Sequence, residues 1–214
     1  MNKILDLQLK DYIEENIIPR YVQYESAHND FHIRKVIENS LNLIEDLDVD
    51  INMVYTIAAY HDIGIKDGRD NHHLSSAIYL MQDKNLNKWF DERQLEIMKQ
   101  AIEDHRASSS NPPRSIYGRI ISEADRDIEP DRIIERCVKY QIAHYPDNSK
   151  DEIFDLAKKH IIEKYGENGY LKLWLNSIAN QEGLDTIRAW IADNELDNIL
   201  RQNIENLVSN SFGN

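Results

Sequence analysis

The stretch IAAYHDIGIKDGRDNHH, residues 57–73, decides how this chain is read. It opens as an apolar helix and then places three histidines and three aspartates within thirteen residues, 61–73. His61 and Asp62 follow directly on Ile57-Ala58-Ala59-Tyr60, and His61 continues the face of Val54, Ile57 and Ala58. An ionisable group carried into an apolar interior costs several kcal/mol unless something compensates it. A cation compensates an imidazole and a carboxylate together. The question is whether other segments supply more ligands of the same kind.

Taken alone, a His-Asp pair says little, because a core histidine is usually just hydrogen-bonded. Two further segments change the balance. HNDFHIRKVIENS, residues 28–40, offers His32 on an amphipathic helix, with His28 four residues earlier on the same face. IISEADRDIEP, residues 120–130, is apolar until its acids arrive and offers Asp125 near a helix end. Three helices that each deliver an imidazole or a carboxylate from an apolar face imply one shared polar centre. Two imidazoles with two carboxylates suit Mn, Fe, Ni, Co or Zn as a divalent ion, with Mg also admissible and positions left for water and substrate.

Composition sets the frame for that centre. The 214 residues include only 7 glycines and 5 prolines and are 41% hydrophobic, the profile of an all-α protein with a sizeable core. Apolar spacing marks helices over 3–24 (kinked or ended near Pro19), 29–46, 51–62, 72–83, 91–105, 115–125 and 130–143, with two or three more over 150–210. Asn29 or Asp30 is placed to cap the second, and Gly64 to end the third. Trp174 and Trp190 read as core anchors, and Cys137 as a buried small hydrophobe. ASSSNPPRS, residues 107–115, is the clearest break. With no repeat and no long linker, the expectation is a single domain over 1–214 with about ten helices.

The net charge of −13 disfavours non-specific binding to nucleic acid or anionic lipid. Acids interrupt the apolar N-terminal stretch, and no run of about 18 apolar residues follows, so neither a signal peptide nor a membrane span is expected and the cytoplasm is the expected compartment.

In order and local context, His32, then His61-Asp62, then Asp125 resembles the H…HD…D signature of the HD-domain metal-dependent phosphohydrolase superfamily. HIRKVIENS is similar to the family's first-histidine helix, AAYHDIG to its doublet and ISEADRDIE to its last aspartate. The resemblance covers about 25–130, and GRDNHHLSSA and IEDHR have counterparts in small stand-alone bacterial HD hydrolases. It implies a compact all-α HD-type core; residues 131–214 lie outside the resemblance, and from their position alone they are expected to extend that core, wall the site and offer a face for a homodimer. The resemblance implies one divalent metal held by His32, His61, Asp62 and Asp125, and hydrolysis of a nucleotide or another small phosphate ester by a metal-activated water. Asp62 would also take that water's proton, and Lys66 and Arg69 would meet the phosphate, with Arg106 and Arg126 as further cations.

The departures carry information too. The doublet is followed by Gly64-Ile65-Lys66-Asp67, without the Glu-Asp pair of the guanosine-tetraphosphate hydrolases, and the Gly-Tyr-Pro signature of the cyclic-di-GMP branch is missing. His72, His73 and His105 exceed the four-ligand set. In some HD branches extra histidines hold a second metal, and a few of those are di-iron oxygenases. For this chain His73 and His105 are expected to surround a single ion, bonding its water or a substrate phosphate. The alternatives are an HD-fold di-iron oxygenase and a catalytically silent binding or regulatory protein.

Overall fold

The computed structural model describes residues 4–23, 30–109, 111–126, 128–175 and 177–211. His28 and Asn29 lie outside them, so their proposed helical face and cap are not described. Among the described residues the chain is all α-helical, with short 3₁₀ turns and no strand. Where the lack of a long linker makes the sequence read as one domain, the packing resolves into two compact units, Met1–Arg126 and Asp127–Asn214.

The first unit holds α1 (Leu7–Asn16), α2 (Asp30–Leu43), α3 (Ile51–Tyr60), α4 (His72–Gln82), α5 (Glu92–Asp104) and α6 (Ile116–Ala124). α1 stops before Pro19, which lies in a separate 3₁₀ turn, Ile18–Gln23, because proline offers no N–H to continue the α-helical ladder. α3 is the central rod, and α1, α2, α4, α5 and α6 all pack on it. Its residues from Asn52 to Tyr60 are all buried, as a helix apolar on every side must be. Ile57 is 1% exposed, so Ile57→Ala would cost about 2–5 kcal/mol.

The helix ends matter more than the helices. Asp50, Asp91 and Ser115 accept backbone N–H groups at the starts of α3, α5 and α6. α4 differs: Asn71 makes no side-chain cap, and the helix is held instead at other points. At its far end Asp83 accepts hydrogen bonds from Tyr12 and Tyr60, each 2.5 Å long. Near its start, Gly64 N–H donates to Ser76 Oγ at 2.9 Å.

The second unit holds α7 (Pro130–His144), α8 (Lys150–Tyr165), α9 (Ile178–Ala192) and α10 (Glu195–Ser211). Pro130 stands in the first turn of α7, where its missing N–H is harmless. Ile134, Val138, Ile161, Ile187 and Leu200 form the centre of its own core. Trp190 packs on the edge of that core, whereas Trp174 lies half-buried in a non-helical stretch. Cys137 is buried, and burial pushes its thiol pKa up. Gly183 lets α9 lie against the backbone of Ile128, since a Cβ there would be 1.8 Å from the Ile128 carbonyl oxygen. Among the described residues no helix is long and apolar enough to cross a membrane.

Candidate metal centre

Three helices of the first unit end at one point. His61, His105 and Asp125 are the residues immediately after the last turns of α3, α5 and α6. Helix C-termini present unpaired carbonyls and partial negative charge, so three of them together favour a cation. Asp62 follows in the turn after α3, His32 projects from the edge of the buried face of α2, and His72 is the first residue of α4.

Asp62 sits at the centre of this arrangement, and its two carboxylate oxygens face different partners. Oδ2 lies 3.5 Å from His61 Nε2 and 3.8 Å from His32 Nε2. Asp125 Oδ1 closes that side, 3.2 Å from His32 Nε2 and 3.7 Å from His61 Nε2. Asp62 Oδ1 lies 3.2 Å from His72 Nε2 and 3.4 Å from His105 Nε2. The ligand atoms thus form two groups, His32-His61-Asp62 and Asp62-His72-His105, each with its atoms within 4.8 Å of one another.

The imidazole tautomers follow from the backbone. His61 Nδ1 bonds the Ala58 carbonyl at 2.8 Å, His72 Nδ1 that of Arg69 at 2.7 Å, and His105 Nδ1 that of Ile102 at 2.6 Å. A carbonyl only accepts, so each Nδ1 carries the proton and each Nε2 lone pair points at the carboxylates. Orienting a ligand imidazole through its other nitrogen is the usual support for a metal-binding histidine. His72 Nε2 and His105 Nε2 then face each other at 3.1 Å. Two lone pairs beside a carboxylate oxygen need a positive charge among them, whether a proton or a metal ion. The side chains therefore fit a divalent metal on each side of Asp62.

The protein alone answers with protons. Burial pulls the His61 pKa down, but Asp62 and Asp125 outweigh it and raise it to about 9. His72 is raised as well, burial being outweighed by its bond to Asp62. Burial pushes Asp125 up, but its bonds to His32 and His61 hold it well below the ordinary carboxylate range.

The structure brings together His32, His61, Asp62, Asp125 and His105, and places His73 beside them. His72, not His73, reaches Asp62. His73 lies beside it, ring centroids 5.7 Å apart, with a buried Nδ1 that has no hydrogen-bond partner among the described residues. Burial first, and then the neighbouring His105, His72 and Arg106, lower its pKa to about 4. The spacing left the choice open, because His72 is one turn from buried Ser76 and His73 is one turn from buried Ala77. His105 Nε2 falls in the second group, with Asp62 and His72.

The cations are placed unequally. Lys66 is exposed, its amine 4.7 Å from the centroid of the Tyr79 ring. Arg69 has an exposed side chain, while its carbonyl orients His72. Arg106 donates to the Asp70 carbonyl and so ties the loop after the doublet to the end of α5. Arg126 is buried with its Nη1 3.8 Å from Glu123, and burial lowers its pKa.

Residues 30–128 match the HD domain family. Among solved structures, a crystal structure of a predicted HD superfamily hydrolase from an uncultured Thermotogales bacterium is similar over 74% of this chain and 87% of that one, at 20% identity and a TM-score of 0.46. No curated protein matches the chain.

Proposed function

The chain belongs to the HD-domain superfamily through its residues 30–128, and from that premise we propose that it is a metal-dependent phosphohydrolase that takes two divalent ions and acts on a nucleotide or another small phosphate ester. The observation that carries this reading is Asp62, with one oxygen on each of two histidine groups. His32, His61, Asp62 and Asp125 would hold one ion, and Asp62, His72 and His105 the other. When bound, ions so held would lower the pKa of a water and neutralise charge on the transferring phosphoryl group.

The chain's own groups do the rest. The Ala58, Arg69 and Ile102 carbonyls hold three imidazoles in the tautomer that presents Nε2. Asp62, whose oxygens face the imidazoles on both sides, keeps the proton-accepting role in this reading, with Asp125 beside it as the more exposed carboxylate. Arg69, on the exposed loop, is the cation we assign to the substrate phosphate, with Lys66 beside Tyr79 as its neighbour. The net charge of −13 favours a small substrate over a nucleic-acid polymer.

The test is reconstitution with Mn²⁺, Co²⁺, Ni²⁺, Zn²⁺, Fe²⁺ or Mg²⁺, followed by a screen of nucleoside mono-, di- and triphosphates for released phosphate. Metal-dependent release that Asp62→Ala abolishes supports the reading, and no release with any loaded form overturns it. The two histidine groups would equally suit two irons, so oxygen consumption is measured in parallel. Consumption by the iron form without phosphate release would favour an oxygenase.

A further inference from the structure

α4 brings His72 to Asp62 without a side-chain cap at its start. Its register on the doublet must therefore come from packing, and the packing is unusually close. A Cβ on Gly64 would lie 2.5 Å from Ser76 N, 2.6 Å from Ser75 Cβ and 2.8 Å from the His72 carbonyl oxygen. Gly64 has φ −86° and ψ 2°, which any residue adopts, so glycine is needed there for space and not for conformation. The sequence reads Gly64 as a helix-ending residue, but its geometry shows a contact residue. Across this gapless contact runs one buried hydrogen bond, from Gly64 N–H to Ser76 Oγ, and Ser76 is fully buried.

We infer that Ser76, through its bond to Gly64, is a positioning residue that sets His72 at the distance from Asp62 required by the second metal ion. The inference rests on the two-ion reading of the site. Ser76 Oγ fixes α4 one turn after His72, and the Arg69 carbonyl fixes the imidazole itself. Together they define where His72 Nε2 stands, 3.2 Å from Asp62 Oδ1. The first group does not involve α4, because its histidines and Asp125 come from α2 and the ends of α3 and α6. Loss of Ser76 Oγ should therefore weaken one ion and spare the other.

The experiment titrates Mn²⁺ into chelator-stripped wild type, Ser76→Ala, Gly64→Ala and Tyr60→Phe, with electron paramagnetic resonance and thermal denaturation alongside. Tyr60→Phe removes a hydrogen bond at the opposite end of α4 and controls for general loosening. The expected result is two ions in wild type with a spin-coupled signal. Ser76→Ala should keep the first affinity, weaken the second about 10- to 100-fold, and show the signal of an isolated ion. Tyr60→Phe should lower the melting temperature and keep both ions. Gly64→Ala is the harsher form of the same change, and Ser76→Ala decides if it does not fold. The inference is overturned if Ser76→Ala binds both ions as wild type does, or if Tyr60→Phe loses the second ion equally. A wild type that takes one ion only overturns the two-ion reading, and the inference with it.

Discussion

Asp62 has two sides, and they differ in access to water. On the Oδ2 side His32 and Asp125 have side chains 25% and 29% exposed. On the Oδ1 side His72 and His105 are 11% and 2% exposed. The open side adds a second carboxylate to its two imidazoles, whereas the closed side has only the shared Asp62. His61 is fully buried on the open side too, so water reaches it past His32 and Asp125, and in the proposed reading the substrate would enter there. The closed side is a product of packing, because α4 lies directly on the turn after α3 and α5 ends beside it. One half of the site thus depends mainly on which residues are present, and the other on how tightly two helices fit.

The shared carboxylate is where this contrast collapses, so its loss should have the largest effect. Asp62→Ala removes the only residue common to both groups and should release both ions. Metals contribute several kcal/mol of transition-state stabilisation, and each 1.4 kcal/mol is tenfold in rate, so activity should fall by about 10³-fold or more. Metal analysis after gel filtration checks the first statement and phosphate release the second. Retention of either ion in this variant would mean that the two sides do not share Asp62.

Substitutions on one side should separate them. His105→Ala should lose the closed-side ion and keep the open-side ion, and His32→Ala should do the reverse. For His105→Ala we expect activity to fall by about 10²-fold, between the loss of a supporting group and the loss of the whole site. Metal stoichiometry reads the difference directly. Identical stoichiometries in the two variants would show that the groups fill as one.

The same contrast explains what the sequence reveals. His32, His61, Asp62 and Asp125 stand out in the sequence because His61, Asp62 and Asp125 follow apolar stripes and His32 stands at the start of one, each stripe within one helix. The all-α class is legible for the same reason, since scarce glycine and proline leave the helical periodicity unbroken. His105 is half-legible: its place after Leu95, Met98 and Ile102 points it inward, but nothing local says which atom it meets. The choice of His72 over His73 depends on the approach of α4 to Gly64, a contact between two segments that no periodicity encodes. The division into two units is hidden likewise, because it falls at Arg126–Asp127, between a ligand-bearing helix and a proline-started one, without a linker.

Acidity should sharpen the comparison in a different way. In the metal-free protein His61 has its pKa raised to about 9, burial being outweighed by Asp62 and Asp125. An imidazole that holds its proton more tightly when folded adds stability that is complete below its unfolded pKa of about 6.5. That stability is lost as the pH rises through about 9. The melting temperature of stripped protein should therefore fall across this window. Metal-loaded protein should not follow, because a metal ligand is already deprotonated and ion affinity increases as protons leave. Thermal denaturation of both forms across the window tests this. A stripped protein equally stable at both ends would mean that His61 does not carry a proton between the carboxylates.

Arg69 should give the smallest effect, and its backbone and side chain should separate cleanly. The backbone carbonyl of Arg69 accepts from His72 Nδ1 and belongs to the construction of the closed side. Its side chain is exposed and is assigned here only to the substrate phosphate. Arg69→Ala keeps the carbonyl, so both ions should bind as in wild type. An exposed ionic contact is worth about 1 kcal/mol or less, so KM for a phosphate substrate should rise no more than about fivefold, with kcat nearly unchanged. Steady-state kinetics with saturating Mn²⁺ and a parallel metal titration measure both quantities. A fall in ion content would show that the guanidinium supports the closed side. An unchanged KM would return Arg69 to the ordinary surface charges and leave the phosphate to the metal pair and Lys66.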